Sequence, residues 1–129
     1  MKRNILKNEK GFTLVEIIAV LIILGILAAV AVPRYMSLTA DAKNSSAQTA
    51  VAEAKARVNQ AAAQYILAND GALPEASHLA ASDLGTAAGD FTLSYAASGT
   101  TGIAIIATGV AGGPADGGTA AGTAVLPTS

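Results

Sequence analysis

The stretch Lys10-Gly11-Phe12-Thr13-Leu14-Val15-Glu16, followed by the apolar run Ile17 to Val32 and by Pro33, decides how the rest of the chain is read. A basic leader meets a Gly-Phe junction, and Glu16 is the only charge in residues 12–32. As a helix this 21-residue run would be about 31 Å long, the thickness of a bilayer's hydrocarbon core. A lone carboxylate in such a run is costly unless it has a partner. A secretory signal peptide has a shorter apolar region and a small-residue cleavage site after it. Ala28-Ala29-Val30-Ala31-Val32 imitates such a site. The early charge and the Gly-Phe junction weigh against a plain signal peptide or signal anchor.

The charges on either side of the junction differ in sign. Residues 1–11 hold Lys2, Arg3, Lys7 and Lys10 against Glu9, a net +3; residues 12–129 hold four basic and eight acidic residues, a net -4. A basic segment directly before an apolar run favours cytoplasmic retention of that segment, with the far end outside. The acidic remainder has no basic patch suited to phosphate backbones, so nucleic-acid binding is not supported. Charged residues make up only 13% of the chain, and much of its 52% hydrophobic content is alanine. With 4% aromatics, a large aromatic-rich core is not expected, and burial on folding is modest. There is no cysteine, hence neither a disulfide nor a thiolate nucleophile or metal ligand.

Pro33 removes a backbone N–H and should kink a helix that continues past it. Continuation is expected, because Arg34 to about Ala68 is rich in Ala, Gln, Lys and Glu. Val51, Ala54, Val58, Ala61 and Tyr65 make a narrow apolar stripe at alternating three- and four-residue steps. Glu53 and Arg57 are spaced for a surface ion pair. Asn69-Asp70-Gly71 stops the helix and Pro74 prevents its resumption. The spacing thus predicts one helix from Phe12 to about Asn69, roughly 87 Å long, apolar all round in its first half and amphipathic in its second.

Residues 71–90 read as a connector with a short helix around Glu75–Ala81. Phe91, Leu93 and Tyr95 alternate with Thr92 and Ser94, the pattern of a half-buried strand. Ser98 to Gly102 is a turn, Ile103 to Thr108 a second strand, Gly112 to Gly118 a loop, and Thr119 to Leu126 a third, weaker strand. The fold class expected is α+β: a long N-terminal helix packed on a small antiparallel sheet.

Gly11-Phe12-Thr13-Leu14-Val15-Glu16, the run Ile17 to Val32, and Pro33-Arg34-Tyr35 closely resemble the N-terminal region of type IV pilins and type II secretion pseudopilins. The resemblance covers about residues 1–60. It implies four parts: a basic leader, 1–11, removed by a prepilin peptidase; a transmembrane and filament-core half-helix, 12–32; an amphipathic half-helix, 33–70; and a head, 71–129. The peptidase would cut between Gly11 and Phe12 and methylate the new amino terminus at Phe12. Glu16 falls where the family carries its assembly glutamate. Gly25 and Pro33 fall where members have a helix-loosening glycine and proline. Implied partners are further copies of the chain, the peptidase and N-methyltransferase, an inner-membrane assembly platform, and lipid before assembly. The implied location is the inner membrane, with the leader cytoplasmic and the head periplasmic, then an extracellular pilus or periplasmic pseudopilus. The 11-residue leader is somewhat longer than that of many major pilins. The missing disulfide argues against many major pilins, and the absence of a convincing calcium loop argues against pseudopilins. The small Ala/Gly/Thr-rich head suits an abundant subunit and favours a pilus.

The remaining polar residues favour bland roles, and no cofactor is implied. His78 is the sole histidine and reads as a solvated loop residue, not a metal ligand or catalytic base. Asp41, Asp70 and Asp116 lack metal-loop spacing; Asp70 is assigned to the helix terminus and Asp116 to the Gly-rich loop. Asp83 and Asp90 are too few for a calcium site. Asn44-Ser45-Ser46 matches a glycosylation acceptor but is read as helix surface. With His78 isolated there is no nucleophile–base pair, and the glycine pairs at 112–113 and 117–118 lack the lysine and helix of a phosphate loop. Tyr35, Tyr65, Phe91 and Tyr95 are assigned to packing. The chain is therefore expected to be a structural subunit and not an enzyme. The alternatives are a secretion pseudopilin and, from another class, a monomeric membrane-anchored periplasmic binding domain.

Overall fold

A computed structural model describes residues 11–80 and 84–128. The leader residues before Gly11, the end of the predicted short helix at Ala81, and Asp83 lie outside the described residues. The chain divides into two compact units, Met1–Ser37 and Leu38–Ser129.

The first unit holds the N-terminal part of helix α1, Leu14–Ala68, which continues through Pro33. Every described side chain from Phe12 to Ser37 is exposed, and these include eleven Ile, Leu and Val residues between Leu14 and Leu27. The helix is long and apolar enough to cross a membrane. It starts at Leu14, two residues later than the apolar run suggested, because Thr13 serves as its cap.

The second unit is α+β, as the residues predict. It contains the rest of α1, the short helix α2 (Ala76–Ala80), and strands β1 (Ala87–Ala88), β2 (Phe91–Ser98), β3 (Gly102–Gly109) and β4 (Thr119–Val125). The strands form one antiparallel sheet in the order β1-β2-β3-β4. Among the described residues four strands are present instead of the three expected. The extra one, β1, is a two-residue alanine pair with no alternation to betray it.

Alternation decides which sheet face is buried. Phe91 and Leu93 of β2 and Ile103, Ile105 and Ala107 of β3 are buried, while Thr92, Ser94, Ile106 and Thr108 face out. The buried face meets Ala47, Ala50, Val51, Ala54, Val58 and Ala62 of α1, with Ala61 and Tyr65 packed at its margin. The expected stripe is present and extends one turn further toward the N-terminus than read. Val58, Leu93, Ile103 and Ile105 are the largest fully buried side chains. Each contributes about 1.5–3 kcal/mol by leaving water. Helix and sheet approach closely where β4 presents Gly122, at which a Cβ would lie 2.6 Å from Val51 Cγ1.

α1 ends in a Schellman-type turn. The Gly71 N–H reaches back to the Ile66 carbonyl at 2.9 Å, and Asp70 takes the left-handed conformation at φ 50°, followed by Gly71 at φ 91°. Asp70 therefore serves the helix terminus as expected, but in a conformation that glycine adopts without the Cβ penalty. Asp70→Gly should raise stability by about 0.5 kcal/mol, the relieved strain being partly offset by the freer unfolded chain. The urea midpoint of the protein in detergent checks this.

Candidate functional site

The N-terminal junction begins with exposed backbone. Gly11, Phe12 and Thr13 precede the helix, all three are exposed, and Phe12 is 86% exposed. Thr13 then caps α1. Its Oγ1 accepts from the Glu16 N–H at 3.2 Å, and its own N–H donates to Glu16 Oε2 at 2.7 Å. The Thr13 hydroxyl also donates to Glu16 Oε2, at 2.8 Å. This is a reciprocal capping box, and it satisfies donors that a helix start otherwise leaves open. The carboxylate sits in the first turn, where the helix dipole favours negative charge. Both bonds go to Oε2, and Oε1 has no partner among the described residues.

The Thr-x-x-Glu spacing at 13–16 was readable in the sequence as a capping signal. Reading Glu16 only as a charge stranded in an apolar run misses that it has a local partner. The Gly11–Phe12 bond lies outside the helix and is open to approach, and Gly11 would tolerate a Cβ without contact. Gly25 lies in α1 with open space around it, and Pro33 is helical. The structure brings Gly11, Phe12 and Glu16 to one end of α1 and leaves Gly25 and Pro33 further along it.

Elsewhere the polar residues tie the second unit together. Arg57 forms the expected pair with Glu53 at 2.5 Å, but it does more than that. Its guanidinium donates to the Gly85 carbonyl at 3.1 Å and the Ala87 carbonyl at 2.8 Å, with a longer contact to Leu84. It clamps the connector onto α1. The Glu53 carboxylate raises the Arg57 pKa further. Burial pushes the neighbouring Tyr95 hydroxyl above its ordinary range, and the guanidinium opposes that shift. Arg57→Met should lower stability by about 2 kcal/mol, the scale of charge-assisted hydrogen bonds to part-buried backbone carbonyls. Glu53→Gln should cost under about 0.5 kcal/mol, as an exposed pair does. Equal urea midpoint shifts for the two variants would refute the clamp.

His78 is exposed but is not a loop residue. It lies on α2, stacked on Tyr65 with ring centroids 5.6 Å apart. Asp116 anchors the Gly-rich loop as expected, accepting from the Gly112 N–H at 3.0 Å. Asn44 does more than face solvent: its Oδ1 accepts from the Thr119 N–H at 3.2 Å and fastens the start of β4 to α1. Phe91 is buried, and Tyr65 and Tyr95 pack beside the core, whereas Tyr35 is 72% exposed. Asp41 and Asp90 are exposed. No group of three or more His, Asp or Glu side chains able to hold a metal ion occurs among the described residues.

Residues 6–32 match the family model for the prokaryotic N-terminal methylation motif. The N-terminal segment is similar to that of pilus and fimbrial proteins. A fimbrial protein of Pseudomonas aeruginosa is 39% identical over 67 residues, covering 43% of this chain and 44% of that protein. The type IV narrow pilus major component PilA5 of Thermus thermophilus is 44% identical over 45 residues, 35% of this chain and 39% of the relative. The type IV major pilin protein PilE1 of Neisseria gonorrhoeae is 56% identical over 39 residues, 30% and 24% of the two chains. The pilin-like match thus spans less than half the length of each of these relatives. No solved structure matches the chain.

Proposed function

We propose that this chain is a structural subunit of a type IV pilus. It is made as a precursor and held in the inner membrane by residues 12–32, with the leader cytoplasmic and residues 71–129 periplasmic. A prepilin peptidase cuts between Gly11 and Phe12, and Phe12 is N-methylated. An inner-membrane platform then moves the subunit from lipid into a helical filament. In that filament the apolar part of α1 lies among copies of itself and the sheet unit faces outward.

The observation that carries this reading is the match to the methylation motif at 6–32, together with a helix whose apolar residues from Leu14 to Val32 are all exposed and whose start leaves the Gly11–Phe12 bond outside it. An exposed apolar belt of this extent needs lipid or other helices to cover it. The relatives named above are pilus and fimbrial proteins, which supports a pilus over a secretion pseudopilus.

Mass spectrometry of the purified protein, with electron microscopy of sheared surface fibres, tests the proposal. An N-terminus at methylated Phe12 together with long fibres containing this chain is the expected result. An intact Met1 terminus would instead favour the monomeric anchored binding domain. A processed terminus with only short periplasmic assemblies would favour the pseudopilus.

A further inference from the structure

The sheet has a long open edge at β4, and beside it stands a cation without a partner among the described residues. The β3–β4 ladder runs in register from Gly102↔Val125 to Thr108↔Thr119. It is framed by the Gly109 N–H donating to the Gly118 carbonyl and the Leu126 N–H donating to the Thr101 carbonyl, both at 2.8 Å. In an antiparallel ladder the residues alternate, so the even-numbered residues of β4 turn their backbone groups toward β3 and the odd-numbered ones turn theirs away. Asn44 takes the N–H of Thr119. The N–H groups of Ala121, Thr123 and Val125 have no partner among the described residues.

Natural edges are blunted by charge, proline, bulges or shortness. The β1 edge is two residues long. β4 has seven residues, Thr-Ala-Ala-Gly-Thr-Ala-Val, with no charge, no proline and no break in register. On the helix-facing side of β4, Lys55 lies over Gly122, where a Cβ would be 3.1 Å from Lys55 Cε and 3.4 Å from Nζ. Arg57 has Glu53, and Lys43 donates to the Asp116 carbonyl at 2.7 Å. Lys55 has no hydrogen-bond or ion-pair partner among the described residues.

We propose that β4 accepts, as an added strand, an extended segment of another polypeptide that carries one carboxylate among small uncharged residues. Main-chain bonds to Ala121, Thr123 and Val125 would hold the segment, as in other strand additions. Its residue opposite Gly122 would project on the Lys55 side, because cross-strand neighbours share a face about 5 Å apart. An acidic residue there completes an ion pair with Lys55, whereas a basic one meets like charge. The small side chains of β4 allow close approach and impose little other selection. This reading is independent of the N-terminal chemistry.

The test uses the full ¹⁵N-labelled chain in detergent micelles. The probe is acetyl-Thr-Ala-Thr-Glu-Thr-Ala-Thr-amide at millimolar concentration, compared with the same peptide carrying lysine for glutamate. The glutamate peptide should slow amide exchange at Ala121, Thr123 and Val125 about tenfold. It should bind about threefold more tightly than the lysine peptide, as a rim ion pair allows. Lys55→Glu, a change at a half-buried position, should reverse that order. Thr123→Pro should abolish binding, because it removes an outward N–H that the β3 ladder does not use. Unslowed exchange at these three amides, or equal slowing by both peptides in the parent chain and in Lys55→Glu, would overturn the proposal. Slowing that needs no peptide and rises with protein concentration would also overturn it, by making a second copy of the chain the occupant.

Discussion

A Gly109→Ala variant should lose about 3 kcal/mol or more of stability, or fail to fold its sheet unit at all. The substitution adds one methyl, so hydrophobicity and helix propensity do not explain the size of the effect. Space does. A Cβ on Gly109 would lie 1.9 Å from the Ala115 carbonyl oxygen and 2.6 Å from its carbon. Both are backbone atoms, so the clash cannot be relieved by turning a side chain. Nor is the backbone free to yield. The Ala115 carbonyl accepts from the Gly118 N–H at 2.9 Å, the Asp116 N–H bonds the Gly113 carbonyl at 3.1 Å, and Gly109 itself donates to Gly118. Ala115 is buried. Moving the loop therefore breaks the bonds that start β4 and exposes part of the core. Gly112→Ala is the control. Its φ of 75° makes alanine strained, but a Cβ there meets nothing within 4 Å. It should cost only about 1–2 kcal/mol. Urea titration in detergent separates the two. Equal midpoints for Gly109→Ala and the parent chain would refute the packing argument.

That contrast shows why only part of the molecule could be read in advance. Alternation at Phe91, Leu93 and Tyr95 and the spacing of Val51, Ala54 and Val58 are local signals, and each fixes an element and its buried face. Gly109 carries no such signal. Its need for glycine comes from a loop that returns upon it, which residue order does not reveal. Arg57 is similar: its spacing from Glu53 suggested a surface pair, but its carbonyl partners lie 28 and 30 residues further along. The Tyr65–His78 stack likewise joins residues whose proximity depends on the turn after α1. The N-terminal site was legible because it is contiguous. Even there, one local relation went unread, the Thr13–Glu16 capping box, and it bears on how Glu16 is to be tested.

Glu16→Ala should leave the precursor processed at Phe12 but abolish filaments. Two roles for Glu16 predict losses of different size. If it only caps α1 with Thr13, removing it costs about 1 kcal/mol. That is roughly a fivefold effect, from which abundant subunits still assemble. If it also pairs in the filament with the ammonium of a neighbour's mature terminus, truncation leaves a buried charge unmatched at about 3–5 kcal/mol per subunit. The structure keeps the second role open, because both capping bonds fall on Oε2 and Oε1 is unengaged among the described residues. Thr13→Val separates the roles. It removes the hydroxyl that shares the cap while leaving the Glu16 charge in place, so it should cost only the capping increment and still give fibres. Glu16→Gln preserves the side chain's shape and hydrogen-bonding capacity but not its charge, and it should fail as Glu16→Ala does. The readout is sheared fibre yield beside the mass of the N-terminal peptide, so that a processing defect cannot be mistaken for an assembly defect. If Thr13→Val is as deficient as Glu16→Ala, the carboxylate matters through the cap, and charge pairing between subunits is wrong. If Glu16→Gln assembles normally, the charge itself is dispensable.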